Sequence, residues 1–164
     1  MSWLLIIATT LFVAYISMMC AMFGVPPSIS ETYYLLDRRK KGRGKLFMLW
    51  CLLMVACLAP FWFQTCNENT TFLAWFAAMG LLFVGGAPLF KDAHMRGVHK
   101  IGAITAALAT TLILAFNGLG IYPLIIYPIA LLFIIIYRKN WLFWAELTAF
   151  GTTLMAFLIK TFIN

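Results

Sequence analysis

The chain has 164 residues, of which 64% are hydrophobic and only 10% are charged. A water-soluble domain is about 45–50% apolar and about 25% charged, so the composition excludes a soluble fold and predicts that lipid is the solvent for most of the chain. The formal net charge of +7 comes from residues that flank the apolar runs. That distribution argues against a nucleic-acid surface and for contact with a membrane.

Six apolar runs are candidate membrane spans, because about 20 apolar residues cross a bilayer core as a helix. They predict an all-α integral membrane protein, a bundle of six transmembrane helices that forms a single domain over residues 1–164. The first run lacks the basic start and the cleavage site of a signal peptide, so we expect it to be retained. The predicted spans cover residues 3–23, 46–63, 71–90, 101–118, 121–137 and 141–162.

The basic residues lie in alternate loops. Eleven of the twelve Lys and Arg residues fall in the first, third and fifth loops, and the exception is Lys160 near the end of the last run. Because basic loops stay in the cytoplasm, we expect both termini outside and a multi-pass protein of the cell inner membrane. Tryptophans near the span ends, Trp50 and Trp62 among them, are then expected in the aromatic belts at headgroup depth.

The first loop combines a helix start signal with a polybasic run. Ser28-x-x-Glu31 matches a capping box and predicts a short interfacial helix after the first span. The basic loop at residues 37–45 follows, and we expect it to bind anionic lipids at the cytoplasmic face with about 1 kcal/mol per basic residue. The residues expected to contact lipid headgroups are Arg38, Arg39, Lys40, Lys41, Arg43 and Lys45.

Small residues predict tight packing in the third and fourth spans. Gly102, Ala106 and Thr110 recur every fourth residue, which indicates a close helix–helix approach and a central position for the fourth span. The sequence "GGAP" at residues 85–88 lies near the inner end of the third span. It predicts either a packing kink or an unwound stretch that faces a cavity.

Both histidines lie in "FKDAHMRGVHK", residues 90–100, beside Asp92. On a helix, the five-residue spacing turns His94 and His99 about 140° apart, so only a loop conformation would direct both at one ion. The chain also lacks a P-loop, a G-x-S-x-G or H-E-x-x-H motif and a dinucleotide fingerprint. We therefore predict no metal site and no cofactor, and we expect His99 to meet Glu146 across the inner leaflet.

Glu146 lies inside the sixth span, roughly 9 Å below its inner edge. An ionisable group at that depth is a functional hypothesis by default, and the alternative is a protonated or hydrogen-bonded Glu that holds helices together. The predicted topology directs several polar residues toward the same cytoplasmic leaflet. This candidate polar cluster consists of Glu146, His99, His94, Asp92, Glu31 and Ser30.

These residues leave three functions open, and no catalytic residue is assigned. The sequence favours a small polytopic protein that handles a small ion, a solute or a lipid through the cytoplasm-facing cluster. In its ion-transport form, Glu146 binds a proton or cation, and the thin pathway of six short spans calls for a homo-oligomer. The second function that stays open is that of a non-catalytic assembly factor or regulatory subunit.

The third function is a membrane-embedded lipid hydrolase or transferase that uses His, Asp and Glu at the inner leaflet. The chain resembles the multispanning metal-dependent lipid hydrolases, which include the alkaline ceramidases, in placing Ser, His and Asp near span ends. The resemblance stops there. The metal sites of that group use three histidines, and its members have seven spans. This chain has two histidines and six predicted spans.

Overall fold

A computed structural model describes the backbone of residues 2–86 and 93–163, and the side chains of residues 2–86 and 97–163. The described residues form seven α-helices and no strand, which confirms the all-α prediction. The helices are α1 (Ser2–Phe23), α2 (Thr32–Arg39), α3 (Lys45–Thr65), α4 (Thr71–Gly86), α5 (Ala93–Phe116), α6 (Ile121–Tyr137) and α7 (Trp141–Phe162).

Four of these helices are long and apolar enough to cross a membrane: α1, α3, α7 and the Gly97–Phe116 part of α5. The helices α4 and α6 are apolar but shorter, with 16 and 17 residues. At 1.5 Å per residue they measure about 24–26 Å, somewhat less than the roughly 30 Å hydrocarbon core. The described residues therefore form an all-helical protein with four helices that could span a membrane by length and composition.

The helix bounds follow the predicted spans except in the histidine segment. The bounds of α6 and α7 are the predicted ones, and the short helix expected after the first span is α2. However, α5 begins at Ala93 instead of residue 101, so much of the predicted connector is helical. Each residue added to an existing helix gains a backbone hydrogen bond, which extends α5 through its charged start. Residues 87–90, at the end of the predicted third span, lie outside the described residues.

The helix α3 is more enclosed than the other candidate spans, because 44% of its most apolar window is buried, compared with 28% for α5. It packs against α1, α2, α4 and α5. The small-residue helix α5 likewise packs against four helices, α3, α4, α6 and α7. The small residues of α5 cover one side only, and Ile104 and Leu108 on its other side are exposed.

Two glycines bring α4 and α5 into backbone contact, as the small-residue spacing predicts. A methyl group added at Gly80 would lie 2.7 Å from the Ala106 nitrogen, and one added at Gly102 would lie 2.9 Å from the Gly80 oxygen. Gly85 is also a packing glycine, since a methyl group there would lie 2.7 Å from Cβ of Cys51. Gly85 is helical, so the unwound form of the "GGAP" prediction does not hold at this residue.

Trp50 and Trp62 belong to the core and not to the aromatic belts, which corrects the prediction for both. They are 4% and 2% exposed. Trp50 stacks on Tyr15 with ring centroids 4.6 Å apart, and its indole N–H donates to the Leu11 carbonyl at 3.3 Å. An aromatic ring is well placed in a core where its polar atom finds a partner. Both residues lie on sides of α3 that other helices cover.

The helix α6 is peripheral. It packs mainly against α7, and its only buried residue is Pro123. One side-chain hydrogen bond reaches α5, between the hydroxyls of Thr111 and Tyr127 at 3.0 Å. The remaining apolar surface of α6, including Leu124 and Ile136, is exposed, as expected of a helix whose solvent is lipid.

Replacing Gly102 by Leu should separate α4 from α5 and destabilise the protein. Overpacking of this kind costs about 1–3 kcal/mol. Gly97→Leu is the matched control on the same helix, because nothing lies within 4 Å of an added Cβ there. Thermal unfolding in detergent should show a lower midpoint for Gly102→Leu alone, and equal midpoints for the two variants would contradict the close approach.

Candidate functional site

The connection between α1 and α2 folds back against the start of α7. The Phe143 N–H donates to the Pro27 carbonyl at 3.2 Å, and Nδ2 of Asn140 donates to the Val25 carbonyl at 2.7 Å. Proline has no backbone N–H and cannot continue a helix, which explains why α1 ends here. The result is a non-helical segment, residues 25–31, held against a candidate span.

Glu146 on α7 accepts hydrogen bonds from this segment. Its Oε2 accepts the Ile29 N–H at 2.5 Å, and its Oε1 accepts the Ser30 hydroxyl at 3.4 Å. These donors belong to the turn that leads into α2, where backbone N–H groups lack partners within a helix. A carboxylate is a favourable acceptor at such a place. Glu146 therefore joins the α1–α2 connection to α7, and the structure brings Glu146 and Ser30 of the candidate cluster together.

Neighbouring hydroxyls complete the turn. Oγ of Ser28 accepts the Glu31 N–H at 3.0 Å, which is the serine half of the predicted capping box. Glu31 thus contributes its backbone to the site. Oγ1 of Thr32 donates to the Ile29 carbonyl at 2.5 Å and shares a hydrogen bond with the Tyr15 hydroxyl at 2.6 Å. Polar groups from α1, the turn and α2 are therefore paired with one another.

A cavity of about 240 Å³ borders Glu146. Most of its wall is hydrocarbon, supplied by α3, α4, α5 and α7. Ile104 of α5 and Leu142 of α7 both line it and are 59% and 40% exposed, so the cavity opens sideways between these two helices. We call this space the groove. Its polar wall residues, apart from the indoles, are Ser30, Thr110, Glu146 and Thr153.

The groove is long and narrow. Its wall extends along α3 from Phe47 to Trp62 and along α7 from Leu142 to Thr153. At 1.5 Å per residue these stretches correspond to about 22 Å and about 16 Å, a large part of the hydrocarbon thickness. The Trp62 indole N–H is buried and has no acceptor within the described part of the chain. An apolar groove thus has a carboxylate toward one end and an unpaired donor in its wall toward the other.

The His99 ring on α5 is engaged with α4. Its Nδ1 is 3.1 Å from the Val84 carbonyl, and neither a hydrogen bond nor an ion pair joins it to Glu146 among the described residues. Because Val84 lines the groove, His99 lies behind that wall and ties α5 to α4. Asp92 and the side chain of His94 are outside the described residues, so their roles stay predictions. In residues 2–86 and 97–163, no three His, Cys, Asp or Glu side chains form a group that could hold a metal.

The polybasic loop lies next to this end of the groove. Its six basic side chains are exposed, and Phe47, two residues after the loop, lines the groove. Oδ1 of Asp37 accepts the Gly42 N–H at 2.6 Å, and Gly42 has a φ of 88°, which favours glycine. The one acid in the loop therefore closes a turn, and the positive charges face outward.

Sequence reasoning missed Ile29, which binds Glu146 through its backbone, and it missed the groove. One signal for the groove is present in the sequence. Ala145, Ala149 and Thr153 recur every fourth residue of α7 and all line the groove. This row matches the small-residue rows of α5, and two such rows that do not pack against each other leave space between their helices.

Replacing Glu146 by Ala should destabilise the protein by about 1–3 kcal/mol, because a backbone donor at Ile29 is left without its acceptor. Glu146→Gln keeps an acceptor oxygen and should retain most of the stability. Thermal unfolding of both variants in mild detergent compares them with the unchanged protein. A wild-type unfolding midpoint for Glu146→Ala would show that the contact does not hold the connection in place.

Comparison with known proteins identifies no family or function for this site. No protein-family model, no curated protein and no solved structure matches the chain.

Proposed function

We propose that this protein binds the hydrocarbon chain of a membrane lipid in the groove between α5 and α7. This is the lipid-handling form of the function predicted from the sequence, with no catalytic step assigned. The observation that carries the proposal is an apolar cavity of about 240 Å³ that opens sideways and borders one carboxylate.

The chemistry of the wall favours a hydrocarbon chain over water or an ion. An apolar cavity stays dry, since a water molecule needs several polar partners. A permeating ion needs oxygen ligands that replace its hydration shell, and the groove offers few. Its mouth is formed by the exposed residues Ile104 and Leu142, which face the region that lipid tails would occupy. A tail from the adjacent leaflet enters without crossing a polar barrier.

We further propose that the six helices α1, α3, α4, α5, α6 and α7 all cross the bilayer, with the basic loops in the cytoplasm. Two hydrogen bonds support opposite directions for α1 and α3, because the end of α7 contacts the end of α3 and the start of α7 contacts the segment after α1. Nζ of Lys160 donates to the Thr65 hydroxyl at one end, and Asn140 donates to the Val25 carbonyl at the other. The shorter α4 and α6 can be accommodated by local thinning of the bilayer, at fractions of a kcal/mol per Å.

The proposed partner at the cytoplasmic face is an anionic lipid surface. The exposed charges of the polybasic loop supply the attraction, about 1 kcal/mol for each basic residue near the surface. We therefore propose a protein of the cell inner membrane. Its groove binds a lipid tail, and its polybasic loop binds the anionic surface of the membrane.

Filling the groove should displace the lipid tail. Ala149→Leu places a larger side chain in the groove wall, and Ala14→Leu is a matched control at an exposed position of α1. The probe is a single-chain alcohol with a brominated chain, added to vesicles of unbrominated phospholipid, and bromine quenches the tryptophans that this chain touches. In variants whose other tryptophans, Trp3, Trp75, Trp141 and Trp144, are replaced by Phe, we expect Trp50 and Trp62, which line the groove, to be quenched in the control and protected in Ala149→Leu. Equal quenching in both variants would contradict an occupied groove.

The six-span topology predicts a pattern of labelling from the two sides of the membrane. Single cysteines introduced at Lys41, Gly97 and Lys139 of a cysteine-free variant should react with a membrane-impermeant maleimide only from the cytoplasmic side. A cysteine at Asn69 should react only from outside. A Gly97 cysteine that reacts from outside would show that α4 does not cross.

A further inference from the structure

We infer that the amphiphile bound in the groove is a single-chain molecule with a protonated amine head, and that Glu146 recognises this head. The inference rests on the proposed function, because it needs a hydrocarbon chain in the groove. It adds the chemical class of the ligand and the residue that selects it.

Glu146 has acceptor capacity and charge left to offer. A carboxylate has about four lone-pair positions, and the donors of Ile29 and Ser30 do not fill all of them. Both donors are neutral. No Lys, Arg or His side chain forms an ion pair with Glu146 in the described part of the chain. A carboxylate at membrane depth is costly without a countercharge, so a cation is the complementary head group.

Aromatic rings lie close to the same place. Phe150 follows Glu146 by one helical turn and lines the groove, and its ring centroid is 5.6 Å from that of Trp50. The face of an aromatic ring attracts an ammonium group within about 6 Å. A head that carries a phosphate or carboxylate would instead meet the like charge of Glu146 in a medium that screens it poorly. Charge complementarity therefore selects an amine.

The shape of the groove limits the rest of the molecule. From Glu146 to Thr153 the wall follows α7 for about 10 Å beyond the head, and its volume is about 240 Å³. Sites for drug-sized ligands are larger, about 300–1,000 Å³. A single slim alkyl chain fits this space, with its head at Glu146 and its tail along the row of small residues on α7.

Three probes that share one alkyl chain test the inference: decylamine, decanol and decanoate. They are added to the full-length protein in a nonionic detergent at neutral pH, where the amine is protonated as a lysine side chain is. Binding is measured by titration calorimetry. We expect decylamine to bind at least about tenfold more tightly than decanol, since hydrogen bonds to charged groups exceed neutral ones by that margin. Decanoate should bind most weakly.

Glu146→Gln should abolish the preference for decylamine and leave the affinity for decanol unchanged, which also reports that the groove is folded. Glu68→Gln, at an exposed residue of the α3–α4 loop, changes the net charge equally and should keep the preference. Equal binding of decylamine and decanol, or a preference that survives Glu146→Gln, overturns the inference while the groove proposal stands. If no probe binds, the groove proposal fails and the inference fails with it.

Discussion

The bond between the Glu146 carboxylate and the Ile29 N–H fixes the arrangement on which the site depends. A non-helical segment inside a membrane protein needs partners for its backbone groups, since lipid supplies none. Glu146 is such a partner, and Ser28 and Thr32 provide others. Because the acceptor is a carboxylate on α7, the need for backbone pairing also places a charged group beside the groove.

The groove results from the unequal packing of α5 against two of its neighbours, α4 and α7. Its small residues let it approach α4 until Gly80 and Gly102 touch through their backbones. On the side toward α7, the facing residues are again small, including Ala107 and Ala149, and they border the groove although the two helices are in contact. Close packing on one side of α5 therefore leaves an unfilled space on the other.

The parts of the fold that were predictable are those that the local sequence specifies. The bounds of α6 and α7 follow from continuous apolar runs that end at polar or glycine residues. The start of α5 was missed because its first residues are polar and resemble a loop. The burial of Trp50 and Trp62 was missed because a belt residue and a core residue look alike until neighbouring helices are placed.

Only the carboxylate of the site could be predicted from the sequence, and its hydrogen-bond partner could not. The depth of Glu146 in an apolar run marks it as unusual, whereas its partner Ile29 is 117 residues away and binds through a backbone atom that has no sequence signature. His99 shows the opposite case. Its residue type suggested chemistry, but its ring is engaged with the Val84 carbonyl on a neighbouring helix.

The sideways opening of the groove at Ile104 and Leu142 lets a ligand enter from the leaflet and not from water. A molecule that arrives through the leaflet leaves one hydrocarbon environment for another, so water is not expelled from its tail and the hydrophobic effect contributes little to selection. The relevant concentration is a mole fraction among the surrounding lipids. Every lipid in that leaflet competes for the same space, so the head group and the number of chains distinguish one competitor from the next.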